Sequence, residues 1–354
     1  MQLAGVEGLK FYGDLRLRQE SSFELPMARD RSRQRTRVRF GVNYQIDDEL
    51  TAGARVVTGN RDDPNSQHHT FGTANDGIEL SLDRAFLTWR PDELEGSELT
   101  AGKFNLPFYR NEVYGELVWD ADVQPEGILL RQRLHNVAGL DRVDMTVAGI
   151  VLSENSRASD SHALLTQCTL HENFGEDLSS TFAASYYHYA DLQPDGSLLL
   201  LDDNSGNSTL DLDADGMADT FASDFGIANL ILGIGYSGLG PPITFSGEFV
   251  HNRHAVMGQA DGWAAGISLG STKQSGDTKY YYQWQDIERD SVFSPFAQDD
   301  FVFTTGHRSH VFGVNRQLTA DVGLHLWGLV SEPADDPADD DERWRLRLDL
   351  NVKF

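Results

Sequence analysis

The chain carries a single cysteine, Cys168, so no intrachain disulfide framework holds it together. Such scarcity suits an oxidising compartment, where stray thiols are a hazard. No stretch approaches the ~18 uninterrupted apolar residues that a membrane helix requires, which excludes a helical membrane protein. Basic charge is short as well: 29 Lys and Arg stand against 55 Asp and Glu, a net charge of -26. Nucleic acid is therefore no expected partner, because phosphate binding rests on neutralisation by Lys and Arg. No basic n-region with an apolar h-region opens the sequence, so an exported chain would be the mature form, with Met1 added to it. There is no GxSxG, and the eleven histidines, His68-His69 included, show no HExxH or comparable ligand spacing.

What the chain has is a rhythm of two. From Trp344 to Phe354 every second residue (Trp344, Leu346, Leu348, Leu350, Val352, Phe354) is apolar, and Arg345, Arg347, Asp349, Asn351 and Lys353 between them are polar. This is a strand with one greasy and one wet face. Residues 33–46 repeat it, with Val38, Phe40, Val42 and Tyr44 opposite Arg35, Arg37, Arg39 and Asn43. Residues 9–18 do so again, Leu9, Phe11, Leu15 and Leu17 alternating with Lys10, Tyr12, Asp14, Arg16 and Arg18. Less regular runs place strands near 49–60, 77–90, 97–106, 123–134, 142–153, 163–175, 178–190, 224–237, 243–253, 260–271, 275–288, 305–317 and 319–331, sixteen in all, with eighteen a possible count. Within 77–90, Leu80 and Leu82 share parity with Arg84 and Arg90, which points to a bulge or a misplaced boundary.

Alternate connections are tight (Asp47-Asp48, Pro91 to Gly96, Glu176-Asp177, Gly238 to Pro242, Thr272 to Gln274) and the others are long and polar. Outer-membrane barrels have this asymmetry, with short periplasmic turns and long extracellular loops, and an even strand count puts both termini on the periplasmic side. The expectation is an all-β fold: one transmembrane antiparallel up-and-down β-barrel over residues 1–354. A soluble sandwich or propeller is the alternative, but its strands should average about 5 to 6 residues.

Several segments resemble the putative-porin family of Gram-negative outer-membrane proteins, within the wider superfamily of general and substrate-selective porins. They are Leu82-Asp-Arg-Ala-Phe-Leu-Thr-Trp-Arg-Pro91, Gly102-Lys-Phe-Asn-Leu-Pro-Phe108, Glu116-Leu-Val-Trp-Asp-Ala-Asp-Val-Gln-Pro-Glu-Gly127 and the aromatic terminus. The resemblance implies a diffusion channel in the bacterial outer membrane, assembled as a homotrimer, without naming a substrate. Strong acidity and a long fifth outer loop, residues 191–223, depart from a plain general porin.

If the last strand closes on the first, the wet faces of three neighbouring strands form one basic patch: Arg345, Arg347, Lys353, Lys10, Arg16, Arg18, Arg33, Arg35, Arg37 and Arg39. Such a wall draws anions and orients dipolar solutes; alternatively, its arginines simply pair with inward carboxylates such as Asp14 and Asp349. Residues 107–122 fall in the third outer loop, expected to fold inward as a constriction, with Glu112, Glu116, Asp120 and Asp122 facing the arginines and Tyr109, Tyr114 and Trp119 supplying bulk. The bland alternative is a solvated loop. In the fifth loop Asp211, Asp213, Asp215, Gly216, Met217 and Asp219 match the first half of a calcium loop. Position twelve is Ala222, so a further ligand such as Asp202, Asp203 or Asp224 would be needed for calcium. The run from Asp335 to Glu342 reads as a solvated hairpin loop able to share divalent ions with lipopolysaccharide. Trp89, Tyr186, Tyr187, Tyr189, Tyr280, Tyr282, Trp284 and Trp344, near strand ends, suggest interfacial aromatic girdles.

The expected function is passive transport of small hydrophilic solutes and ions, with no cofactor required and outer-membrane lipid and lipopolysaccharide as surroundings. A barrel serving as scaffold or sheath for an adhesion or electron-carrying partner is the second reading. A barrel hydrolase assembled without a local motif is the third.

Overall fold

The computed structural model describes residues 7–24, 29–60, 63, 65–72, 74, 77–156, 159–192, 201–256, 258–301, 304–334 and 342–354. Among them are sixteen long strands: β1 (Leu9–Phe23), β2 (Arg31–Gln45), β3 (Leu50–Thr58), β4 (Leu80–Trp89), β5 (Ser97–Lys103), β6 (Glu126–Val137), β7 (Leu140–Ser153), β8 (Ser161–Phe174), β9 (Leu178–Ala190), β10 (Gly226–Tyr236), β11 (Ile243–Asn252), β12 (Asp261–Gly270), β13 (Thr278–Ile287), β14 (His307–Gln317), β15 (Val322–Pro333) and β16 (Arg343–Lys353). Each pairs antiparallel with its sequence neighbours, and β16 pairs with β1, from Asp14 opposite Lys353 to Phe23 opposite Trp344, closing the barrel. Closure leaves no sheet edge, as hydrocarbon demands. All sixteen predicted strands are present; β1 runs furthest beyond its predicted end, to Phe23. At the seam Phe354 and Gly13 exchange backbone hydrogen bonds of 2.9 and 3.1 Å. A Cβ at Gly13 would meet the Phe354 ring, so the seam uses glycine there.

Burial runs opposite to that of a soluble protein. Outward Leu17, Phe40, Leu346 and Leu348 are 40–49% exposed, whereas inward Arg37 and Arg347 are 4% exposed and Asp349 1%. The two-residue rhythm thus sorts a greasy outer band from a polar interior. The expected bulge is real: the β3–β4 register slips between Arg55 and Val56. Asp83 thereby reaches Arg55, and the next residue, Arg84, bonds Gln124 Oε1 at 2.8 Å and Asn105 Oδ1 at 3.2 Å.

One barrel end carries tight turns, the other the long segments L1 (24–30), L2 (59–79), L3 (104–125), L4 (154–160), L5 (191–225), L6 (253–260), L7 (288–306) and L8 (334–342). His69–Thr70 of L2 adds a short bridge to β2, and in L5 Thr209–Leu210 pairs with Thr220–Phe221. Residues 193–200 of L5 and the acidic run 335–341 of L8 lie outside the described residues.

The lumen is not polar throughout. On the loop-side half of β6–β13, inward Leu129, Ile150, Leu165, Tyr187, Tyr189, Ile227, Val250 and Ile287 join one apolar cluster with Phe104, Leu106, Phe108, Leu117 and Trp119 of L3, Phe221 and Phe225 of L5, and Phe293 and Phe296 of L7. Tyr187 and Tyr189 are therefore core residues, correcting their assignment to the girdles: their parity points them inward, where infolded loops give them apolar partners. Trp89, Tyr280, Tyr282 and Trp344 do stand on the outer face.

Candidate functional site: the arginine wall and the infolded loops

The β1–β2 and β1–β16 registers set the charges of the wall. Arg18 lies opposite Asp349 and Glu20 opposite Arg347 across one seam, while Asp14 faces Arg39 and Glu20 faces Arg33 across the other. Side-chain contacts follow: Arg18 grips Asp349 through two hydrogen bonds of 2.8 and 2.9 Å, and Arg16 bonds Asn351 at 2.7 Å. Asp14 accepts from Arg37 at 2.9 Å and Arg39 at 2.6 Å, and Glu20 from Arg33 and Arg347, both at 2.6 Å. Arg35 bonds Ser66 of L2 at 2.7 Å. Arg345 reaches Ser22 and the Asp300 carbonyl of L7, and the Arg347 guanidinium lies 4.6 Å over the Trp327 ring while it pairs with Asp300. Lys10 and Lys353 sit exposed at the turn-side rim, apart from this network.

L3 crosses the barrel interior. The Tyr109 amide donates to Gln167 Oε1 of β8 at 2.5 Å, the Tyr114 carbonyl accepts from Gln283 of β13 at 3.1 Å, and the Glu112 carbonyl accepts from Lys279 at 3.0 Å. Gly266 on the inner face of β12 makes room: a Cβ there would lie 2.8 Å from Val113 Cγ1. L3 then returns to the arginine wall, where Asp122 stands 3.6 Å from Arg37 and 3.4 Å from Arg39. Glu116, Asp120 and Asp122 border one cavity with Arg16, Arg18, Arg37 and Arg39. Glu112 accepts from the Tyr109 hydroxyl at 3.1 Å and borders a second cavity with Arg16, Arg18 and Arg347.

L7 supplies acidic groups absent from the sequence reading. Asp299 and Asp300 join Glu116, Asp120 and Asp122 on that cavity. Trp119 packs at a tilt against Phe296 with centroids 5.2 Å apart, the Asp120 amide donates to the Phe296 carbonyl at 2.7 Å, and Tyr114 donates to Asp300. The signal was legible in Ser291-Val-Phe-Ser-Pro-Phe-Ala-Gln298, too apolar for a solvated loop. Burial, reinforced by the charge of Asp300, raises the carboxyls of Glu116 and Asp299 to about 7. Burial and the neighbouring Glu116 push Asp120 well above the usual range. Burial opposes ionisation of Asp300 too, but Arg347 and Arg18 hold it well below that range. His68 of L2, on the same cavity, is kept neutral by burial and by the surrounding arginines.

In L5 the carboxylates of Asp211, Asp213 and Asp215 come within 4.8 Å of one another. Among the described residues no fourth acidic, His or Cys ligand, Asp202, Asp203 and Asp224 included, joins that set. Asp219 instead accepts from the Leu212 amide at 2.5 Å, and the Met217 amide donates to Asp215 at 2.8 Å.

No curated protein matches the sequence. Among solved structures, Pseudomonas putida OprB superposes with a TM-score of 0.63 at 9% identity, covering 98% of this chain and 94% of that one. Salmonella typhi OmpF does so at 0.57 and 11%, covering 100% of both chains. A loop-deleted OmpT, an outer membrane protein of Vibrio cholerae, gives 0.54 and 12%, covering 98% of this chain and 99% of its own. At such identities the likeness is one of fold, a closed antiparallel porin barrel. Fold and family together point to the bacterial outer membrane. Residues 24–225, more than half of the chain, match the family described as putative porin, and the protein belongs to that family.

Proposed function

We propose that this outer-membrane porin is a passive diffusion channel for small hydrophilic solutes and ions, its path running along the arginine wall beside L3 and L7. One observation supports this most: three adjoining cavities of about 500, 190 and 410 Å³, all bordered by Arg16. The first opens at the turn side beside Arg39, Gln317 and Lys353. L3 is the constriction, and the guanidinium groups facing Glu116, Asp120 and Asp299 set a transverse field in a narrow, low-dielectric gap. The tight turns face the periplasm, the long loops, L5 included, the exterior and lipopolysaccharide.

We further infer a homotrimer, as the family likeness implies, and a Ca²⁺ ion on Asp211, Asp213 and Asp215 completed by water, with oxygen ligands of the kind calcium takes. Single-channel recording in planar bilayers tests the channel. Ohmic steps in KCl are expected; a silent barrel that conducts only after a partner is removed would favour the sheath. Light scattering of the detergent-extracted protein tests the trimer, which a monomer mass would refute.

A further inference from the structure

We propose that the smallest of the three cavities binds a small zwitterion, an α-amino carboxylate whose two ends meet opposite walls. This names the solute class of the channel above and rests on that reading. The cavity, about 190 Å³, has cations on one side and anions on the other. Arg16, Arg18, Arg37 and Arg39 form the first wall. Of the five carboxylates opposite, Asp122 pairs with Arg37 and Arg39, and Asp300 with Arg347. Glu116, Asp120 and Asp299 make no ion pair within 4.0 Å among the described residues, though Arg110 lies near enough to act on Glu116 and Arg347 on Asp299, so these three carboxylates lack a direct cationic partner.

Two further groups wait for a ligand. His68 Nε2 and Asn65 Oδ1 are buried without a hydrogen-bond partner among the described residues, and both side chains border the cavity in residues only 9% exposed. A buried polar atom left unmatched is costly. In the tautomer with its proton on Nε2, neutral His68 donates to a carboxylate, which the arginines also hold; Asn65 Oδ1 accepts from an ammonium.

A metal ion fits less well. Among the described residues only the Asp211, Asp213 and Asp215 carboxylates gather within the 4.8 Å spacing of a shared ion. An ammonium reaches further, through three N–H donors with bonds of about 2.7 to 2.9 Å. Size limits the side chain: a cavity of roughly 150 Å³ accommodates benzene, so this one takes an amino acid as small as alanine.

Isothermal titration of the detergent-purified protein at pH 8 with L-alanine, acetate and methylammonium tests the site. Saturable alanine binding is expected, at least tenfold tighter than either singly charged compound. Glu116→Gln with Asp299→Asn should weaken it at least tenfold. Should that pair disturb folding, His68→Ala supplies the second variant, with a smaller loss expected. Alanine binding no tighter than acetate or methylammonium, unchanged by these substitutions, or displaced by Ca²⁺ would overturn the proposal. Conductance in bilayers separates the two readings: a conducting barrel that ignores alanine loses only the site, and a silent one loses the channel.

Discussion

Two parts of the lumen wall back onto the same lipid and are built in opposite ways. On β16, β1 and β2 the inward residues are arginines and carboxylates, paired by strand register at 2.6 to 2.9 Å. On the loop-side half of β6–β13 they are Leu129, Leu165, Ile227 and Ile287, packed against aromatic side chains of L3, L5 and L7. Lipid cannot account for the difference, since it touches both outer faces alike. What stands against the inner face decides it: cavities and a few loop carboxylates in one part, the apolar side chains of three infolded loops in the other. The proposed path is thereby eccentric, bordered by loops that pack against the apolar half.

The contrast is broken most severely by hollowing the dry half. Phe293 is fully buried, with ring centroids 4.7 to 5.3 Å from those of Tyr189, Phe221, Phe225 and Phe296. Phe293→Ala should cost about 3–5 kcal/mol, seen as a lower thermal midpoint together with larger, noisier single-channel currents. An unchanged midpoint and current would mean that the aromatic cluster does not hold L7.

The wet half yields next. Replacing Arg35, Arg37 and Arg39 by Ala should shift the reversal potential in a KCl gradient toward cations, because it strands Asp14 and Asp122 without partners; unaltered potentials would refute a selective arginine wall. Smaller is the effect of pH. As pH falls from 8 to 6, Glu116 and Asp299, whose carboxyls burial raises to about 7, take up protons while the guanidinium groups keep theirs. Negative charge drains from one wall only, so anion preference should rise, and Glu116→Gln with Asp299→Asn should abolish that pH response. Smallest of all, Asp213→Asn in L5 should weaken Ca²⁺ binding measured by titration while leaving conductance untouched; equal binding by the variant would remove the three-carboxylate site.

The barrel was legible because its outer rule is strict: each lipid-facing residue must be apolar, so Leu346, Leu348 and Phe40 keep period two whatever lies inside. The neighbourhood of β16, β1 and β2 was legible for the same reason, and with it the pairing of their arginines with Asp14 and Asp349. The dry half was not. Runs such as Ile227-Ala-Asn-Leu-Ile-Leu-Gly-Ile234 in β10 are apolar on both faces, as strands buried on both sides are, and period two alone cannot say that the second cover is a loop. Asp300 escaped because its partners, Arg345, Arg347 and Tyr114, are remote in sequence, and Asp299 escaped with it. Tyr187 and Tyr189 misled because strand-end position, without parity, does not separate a girdle from a core.

The sorting of side chains between lipid and lumen is tested most directly at two adjacent residues of β2. With Cys168→Ser removing the native thiol, Arg39→Cys and Phe40→Cys are labelled in lipid vesicles by a water-soluble and by a lipid-soluble thiol reagent. Arg39→Cys should react with the water-soluble reagent, Phe40→Cys only with the lipid-soluble one. The reverse pattern, or equal labelling of both by the aqueous reagent, would contradict the closed barrel with its greasy face outward.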